Sequence, residues 1–300
     1  YWVAEHHNMP GIASSAPAVL IGHLADATST MRIGSGGVML PNHTPLVVAE
    51  QFGMLEALHP GRIDLGIGRA PGTDPATARA LRRSQGGLSA DDFPEHLSEL
   101  IAFFQGSFPA EHPYHRITAV PGLGFMPAVW LLGSSGYSAQ VAALLGLPFA
   151  FAHHFMPANT LPAIELYRSR FRPSEVLDQP YVMVGVAAIC ADDAAHARWL
   201  HSSMRLSMLR LRTGRPGPLP DPDEASRYPF TPAELEIVSA STGSHVVGDP
   251  GGVAAGLDEL AASTAADELM ITTNVFDPAE RVRSYELVAE VLGARRGAAA

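Results

Sequence analysis

The sequence predicts an α/β fold, a (β/α)₈ barrel of the TIM type, on three observations. Strand-like and helix-like segments alternate seven times along the chain. The strand-like segments are near-continuous apolar runs, as expected of parallel strands buried on both faces. Polar and glycine-rich clusters follow those runs, at the ends where barrels of this kind carry their sites. A doubly wound open sheet is the rival. It would usually carry a glycine-rich fingerprint opening the helix after its first strand, and none is visible.

The elements are predicted in order. Tyr1–Ala4 is a strand, followed by Glu5, His6 and His7, and Ala16–Ala27 is a helix. Met31–Leu40 is the second strand, with Gly34, Gly36 and Gly37 inside it. Pro45 suits the first turn of a helix running to about Leu58. Gly61 closes a turn, and Arg62–Gly68 is a short strand ending at Arg69. A Gly/Ala/Arg-rich loop, Pro71–Ser89, precedes a helix from about Asp91 to Gln105. Strands are then predicted at Val129–Leu132, Pro148–Ala152, Tyr181–Cys190 and Glu268–Thr273. Helices are predicted at Tyr137–Leu145, Asn159–Phe171, Asp193 to about Leu211, and Pro278–Leu292, with helical pieces near Pro232–Val238 and Gly251–Ala262 and a frayed tail at Gly297–Ala300. The segment Thr213–Pro229 holds five prolines, which remove backbone donors, and reads as a loop. The chain begins inside a strand, so the first strand and helix of the barrel are expected to be missing from it. A single barrel domain is expected over residues 1–300, with insertions near 71–89 and 213–229.

Composition excludes several classes. Of the 300 residues, 47% are hydrophobic, enough for a sizeable core. The formal net charge of -10, without basic runs, argues against a nucleic-acid partner. No apolar run reaches the roughly 20 residues of a membrane helix. Cys190 is the single cysteine, so no disulfide framework or cysteine-based zinc site exists. No signal-peptide pattern stands ahead of Tyr1, and a cytoplasmic location is expected.

The predicted strand ends gather the candidate chemistry. Glu5, His6 and His7 follow the first strand, Asn42 and His43 the second, and Arg69 the third. The planar fork of Arg69 matches phosphate oxygens. Gly133 to Ser138 enters a helix, where backbone N–H groups and hydroxyls form an anion cradle. With Arg69 from the neighbouring strand, a phosphate site is the better reading. Adjacent histidines leave an extended strand on opposite faces, so His6 and His7 are not expected to share a metal ion. His7, His43, His153 and His154 read as hydrogen-bonded pocket walls, and His6 as the histidine facing the pocket.

Four runs carry a family resemblance: Glu5-His6-His7, Gly34 to Pro41, Gly61-Arg62 leading into Gly66-Ile67-Gly68-Arg69, and Gly133-Ser134-Ser135-Gly136-Tyr137-Ser138. In this order they resemble the luciferase-like flavin-dependent monooxygenases, over Tyr1 to about Glu290. The resemblance implies a TIM barrel that binds FMN at its strand carboxyl ends. It places His6 beside the reactive ring as the catalytic histidine and Gly36-Gly37 behind the ring, joined by a non-proline cis peptide that bulges the strand. Arg69, Ser134 and Tyr137, with Ser138 nearby, would bind the phosphate, and no metal is implied. Reduced FMN from a separate flavin reductase, together with O₂, would oxygenate a small-molecule substrate. The alternatives are an F420-dependent dehydrogenase on the same barrel and a non-catalytic flavin-binding protein. Gly133 stands where luciferase carries a glutamate, so light emission is not implied. A homodimer through Ala16–Ala27 and Pro45–Leu58 is expected, as is a cover over the flavin mouth from Thr213–Pro229.

Overall fold

The structure, a computed structural model, describes residues 1–70, 72–81 and 92–298. Pro71, Arg82 to Ser89 and Asp91, parts of the predicted loop and helix start, lie outside the described residues, as do Ala299 and Ala300 of the tail. The chain forms two compact units. The first comprises Tyr1–Gly133, Tyr137–Phe149 and Arg170–Pro180; the second comprises Ser134–Gly136, Ala150–Ser169 and Tyr181–Ala300.

In the first unit, β1 (Trp2–Val3), β2 (Ile33–Met39), β3 (Ile63–Gly68) and β4 (Ala128–Gly133) pair in parallel in that order. Every residue of β3 is buried, which explains why its sequence shows no apolar–polar alternation. The helices here are α1 (Pro17–Asp26), α2 (Pro45–Leu58), α3 (Pro75–Leu81), α4 (Phe93–Gln105) and α5 (Gly136–Leu145), the last belonging to this unit from Tyr137 onward. Pro45 opens α2 at a position where its missing N–H is no loss. Helix α4 turns Phe93, Leu97, Leu100 and Phe104 inward at helical spacing, packs against α2, and stops at Gly106 in the left-handed conformation, φ 65°.

In the second unit, β6 (Val182–Cys190) pairs in parallel with both β7 (Val246–Gly248) and β8 (Glu268–Thr272). Strand β5 (Phe149–Ala152) enters this unit at Ala150. The helices are α6 (Thr160–Arg170), α7 (Ala194–Arg212), α8 (Pro222–Ser226), α9 (Pro232–Thr242), α10 (Pro250–Thr264) and α11 (Pro278–Ala298). Several of their starts are capped by side chains. Asp193 accepts from the N–H groups of Ala195 and His196, Thr231 and Glu234 form a reciprocal capping box, and Asp249 accepts from Gly252. Val186 and Cys190 of β6 pack with Val253, Leu257, Leu287 and Val288 in one core cluster.

Three predicted features are corrected. Strand β7 adds an eighth strand to the seven expected; it is three residues long and too short to show a pattern. The predicted loop Thr213–Pro229 contains α8, whose Pro222 sits in the first turn, where proline is tolerated. The predicted loop Pro71–Ser89 contains α3, started by Asp74, which accepts from the N–H groups of Ala76 (2.8 Å) and Thr77 (3.0 Å).

Candidate active site

The candidate site of the first unit lies where β1, β2 and β3 end. Strand β2 changes register there. Gly36 pairs with Gly66 and Val38 with Ile67, so Gly37 is bulged out of the ladder. The Gly36-Gly37 peptide is cis, as the resemblance implied. A Cβ at Gly37 would stand 2.6 Å from the Gly66 carbonyl oxygen, and a Cβ at Gly66 only 2.1 Å from that of Ser35. Gly37 and Gly66 are thus each a packing requirement as well as a site feature. The Ser35 hydroxyl, fully buried, donates to the Gly66 carbonyl at 2.9 Å and ties the bulge to β3.

Past β1 the chain makes a polar hub. Glu5 is fully buried. Its Oε1 accepts from His7 Nε2 at 2.9 Å, His43 Nε2 at 2.9 Å and Asn42 Nδ2 at 3.4 Å, and its Oε2 accepts from the Met39 N–H at 2.9 Å. Burial alone would raise the Glu5 carboxyl. The His43 bond and charge, the His7 bond and the Met39 N–H outweigh burial and hold the carboxyl below its ordinary range.

His6 turns the other way. Its Nδ1 lies 3.0 Å from the Gly72 carbonyl oxygen. A carbonyl only accepts, so Nδ1 carries a proton and Nε2 is turned away from that bond. Thr73 Oγ1 donates to the His7 carbonyl at 2.7 Å, and Asn8 Nδ2 reaches Asp74 Oδ2 and Thr77 Oγ1 at the start of α3. The segment after β3 therefore clamps the segment after β1. His6 and His7 diverge, as extended geometry predicts.

Arg69 and Tyr137 meet. The guanidinium carbon lies 4.1 Å from the centre of the Tyr137 ring, which stands in the first turn of α5. Among the described residues no carboxylate pairs with Arg69. Ser138, in the same turn, is buried, and a Cβ at Gly133 would meet its Oγ at 2.9 Å, so its hydroxyl is turned beneath the end of β4. Ser134 belongs to the second unit, where its carbonyl accepts from Asn159 Nδ2 at 3.3 Å.

The second unit holds a histidine group that the sequence reading caught only in part. His153 Nδ1 pairs with Thr160 Oγ1 at 2.8 Å, and His154 Nδ1 donates to the Gly185 carbonyl at 2.9 Å. His201 on α7 and His245 before β7 meet at 3.1 Å. Burial, then the neighbouring His245 and Arg205, pushes His201 down to about 3. Burial, then His154 and His153, pushes His245 down to about 4. Burial, then His154, lowers His153, and burial lowers His154 against the opposing Gly185 bond. The His201–His245 pair is neutral at physiological pH. Nothing local in the sequence marks it. Among the described residues, no three or more His, Cys, Asp or Glu side chains are placed to hold a metal ion, and no helix is long and apolar enough to cross a membrane.

In the first unit, parallel strands followed by helices carry a polar hub, a glycine bulge and an arginine at their ends. The luciferase-like monooxygenase family pattern matches residues 1–268. A luciferase-like monooxygenase of Escherichia coli K12 is 50% identical over 97% of this chain and 85% of its own length. The N-acetyl-S-alkylcysteine monooxygenase of Bacillus subtilis is 34% identical over 99% of this chain and 88% of its own. The solved structure of apo-MsnO8 has 37% identity and a TM-score of 0.87, covering 97% of this chain and 87% of that one. The chain belongs to the luciferase-like monooxygenase family.

Its fold is the TIM-barrel-like α/β fold of that family. The same fold is seen in a type II Baeyer–Villiger monooxygenase solved with FMN (TM-score 0.71, 20% identity, 96% of this chain and 86% of that one). It is also seen in an F420-dependent secondary alcohol dehydrogenase solved with an F420–acetone adduct (TM-score 0.70, 12% identity, 97% of this chain and 89% of that one).

Proposed function

We propose that this protein is a flavin-dependent monooxygenase that uses reduced FMN and O₂ to oxygenate a small organic substrate, with reduced flavin delivered by a separate reductase. The observation that carries the reading is Arg69. It follows the carboxyl end of β3, has its guanidinium carbon 4.1 Å from the centre of the Tyr137 ring, and has no carboxylate partner among the described residues. A guanidinium held by an aromatic face without an internal anion fits a phosphate. The bulged Gly36-Gly37 offers backbone without side-chain bulk, which suits a stacked ring.

Flavin supplies the redox chemistry with O₂ when bound. The chain's own residues position and protect it. Arg69 and the first turn of α5 at Tyr137 and Ser138 hold the phosphate, and the resemblance extends that role to Ser134. Gly36 and Gly37 back the ring. His6, protonated on Nδ1 by its bond to Gly72, presents Nε2 as a base or hydrogen-bond acceptor. The monooxygenase relative named for N-acetyl-S-alkylcysteine supports oxygenation over hydride transfer, and it places thioethers among the substrates to test.

We assign the protein to a homodimer through α1 and α2, whose Val19 (76% exposed), Leu58 (67%) and Met54 (50%) are apolar side chains open to solvent. Titration with FMN and with F420, followed by fluorescence quenching, tests the cofactor. Tight FMN binding and weak F420 binding are expected; the reverse would make the protein a deazaflavin dehydrogenase. Oxygen uptake with reduced FMN, over a panel of thioethers, aldehydes and aromatics, tests the reaction. Uptake should be substrate-dependent in the native protein and lost in His6→Ala.

A further inference from the structure

The least ordinary group in the first unit is Glu5. It has zero exposure and, among the described residues, shares no bond with arginine, yet four donors converge on it. An ionised carboxylate only accepts. His7 and His43, each 2.9 Å from the same oxygen through Nε2, must therefore both carry a proton on Nε2. Their neighbour His6, bonded through Nδ1 to a carbonyl, carries its proton on the opposite nitrogen. The bonds thus place a proton on Nε2 of His7 and His43, and on Nδ1 of their neighbour His6.

The hub also reaches the bulge. Glu5 Oε2 takes the N–H of Met39, two residues past the point where β2 changes register after Gly37. The Gly72 turn that holds His6 sits on the Glu5 backbone, since a Cβ at Gly72 would stand 3.0 Å from the Glu5 carbonyl oxygen. A change at Glu5 would loosen the bulged end of β2 and also His7, whose carbonyl accepts from Thr73 beside the Gly72 turn that orients His6.

Resting on the His6 role proposed above, we propose that Glu5 is a positioning residue, a buried anion that fixes His7 and His43 as Nε2–H donors and thereby holds His6 with its Nε2 lone pair free.

Long-range proton–nitrogen correlation spectra of histidine-labelled protein, without flavin, read the tautomers directly. Signals are assigned with His6→Asn, His7→Phe and His43→Phe. His7 and His43 should show a protonated Nε2, and His6 a protonated Nδ1 with a bare Nε2. Finding a bare Nε2 at His7 or His43, or a bare Nδ1 at His6, in the native protein would overturn the proposal, whatever the variants do.

Glu5→Gln keeps the shape and removes the charge. Its amide NH₂ must face either the two imidazoles or the Met39 N–H, and a donor then meets a donor. Loss of the fixed tautomer at His7 or His43, together with mixing at His6, is expected in this variant while circular dichroism shows a folded chain. If Glu5→Gln folds and leaves all three tautomers unchanged, Glu5 positions nothing. Because no flavin is present, a failure of FMN binding would sink the functional reading and leave this one standing.

Discussion

Arg69 and Tyr137 offer a test whose size follows from their geometry. Arg69→Ala removes the guanidinium and with it one or two charged hydrogen bonds to the phosphate, roughly 1.5–3 kcal/mol, or about 10- to 150-fold in the FMN dissociation constant. Tyr137→Leu leaves the charge and removes the ring that holds it at 4.1 Å. Both side chains are half-buried, so the lost cation–π contact is worth about 0.5–1 kcal/mol, a two- to fivefold weakening. Tyr137→Phe keeps the ring face and should keep that contact. The ring acts through Arg69, so Tyr137→Leu should add little once Arg69 is gone, giving a coupling of about 0.5–1 kcal/mol in the double-mutant cycle. Flavin fluorescence quenching at two ionic strengths is the assay, and the Arg69 contribution should shrink in high salt. A less than twofold change in Arg69→Ala, or strict additivity with Tyr137→Leu, would refute the phosphate assignment.

Gly66→Ala would place a Cβ 2.1 Å from the backbone oxygen of Ser35 and 2.9 Å from Leu132 Cδ1, forcing β2 and β3 apart. Overpacking of about 1–3 kcal/mol plus about 1 kcal/mol for the Ser35–Gly66 bond predicts a loss of roughly 2–4 kcal/mol in urea unfolding. A change under 1 kcal/mol would show that the ladder yields more easily than its spacing suggests. Glu5 sets an acid limit. Its carboxyl is lower in the folded state than its ordinary 4.5, so its stabilisation is complete above that pH and is lost as pH falls through the lower folded value. The stability gap between native protein and Glu5→Gln, about 1–3 kcal/mol at pH 7 from stranded donors, should therefore narrow below pH 4.5; a pH-independent gap would contradict the assigned charge. Leu58→Glu, at an exposed apolar position of α2, should turn a dimer into a monomer by light scattering at micromolar concentration, and a native protein that is already monomeric would dispose of the interface.

What the sequence determines here is what neighbouring residues can express. The apolar runs of β3 and β6 announce buried parallel strands because period and composition are local properties. Pro45, Asp193 and Thr231 mark helix starts for the same reason. The glycine pair Gly36-Gly37 was legible because so few residues tolerate a bulge pressed against a neighbouring strand. The short β7 was not legible, since three residues become a strand only by pairing with β6. Helix α3 was hidden in a stretch whose Gly and Arg content reads as loop, and Asp74 settles it through bonds to Thr77, Ala76 and Asn8. Glu5 was visible as a neighbour of His6, but nothing in the sequence says that it accepts from His43, 38 positions away. The tautomer of His6 likewise depends on Gly72, 66 positions on. Tertiary structure alone decides such matters, because a proton's place on an imidazole is set by the atom that faces it, and that atom arrives from a distant part of the chain.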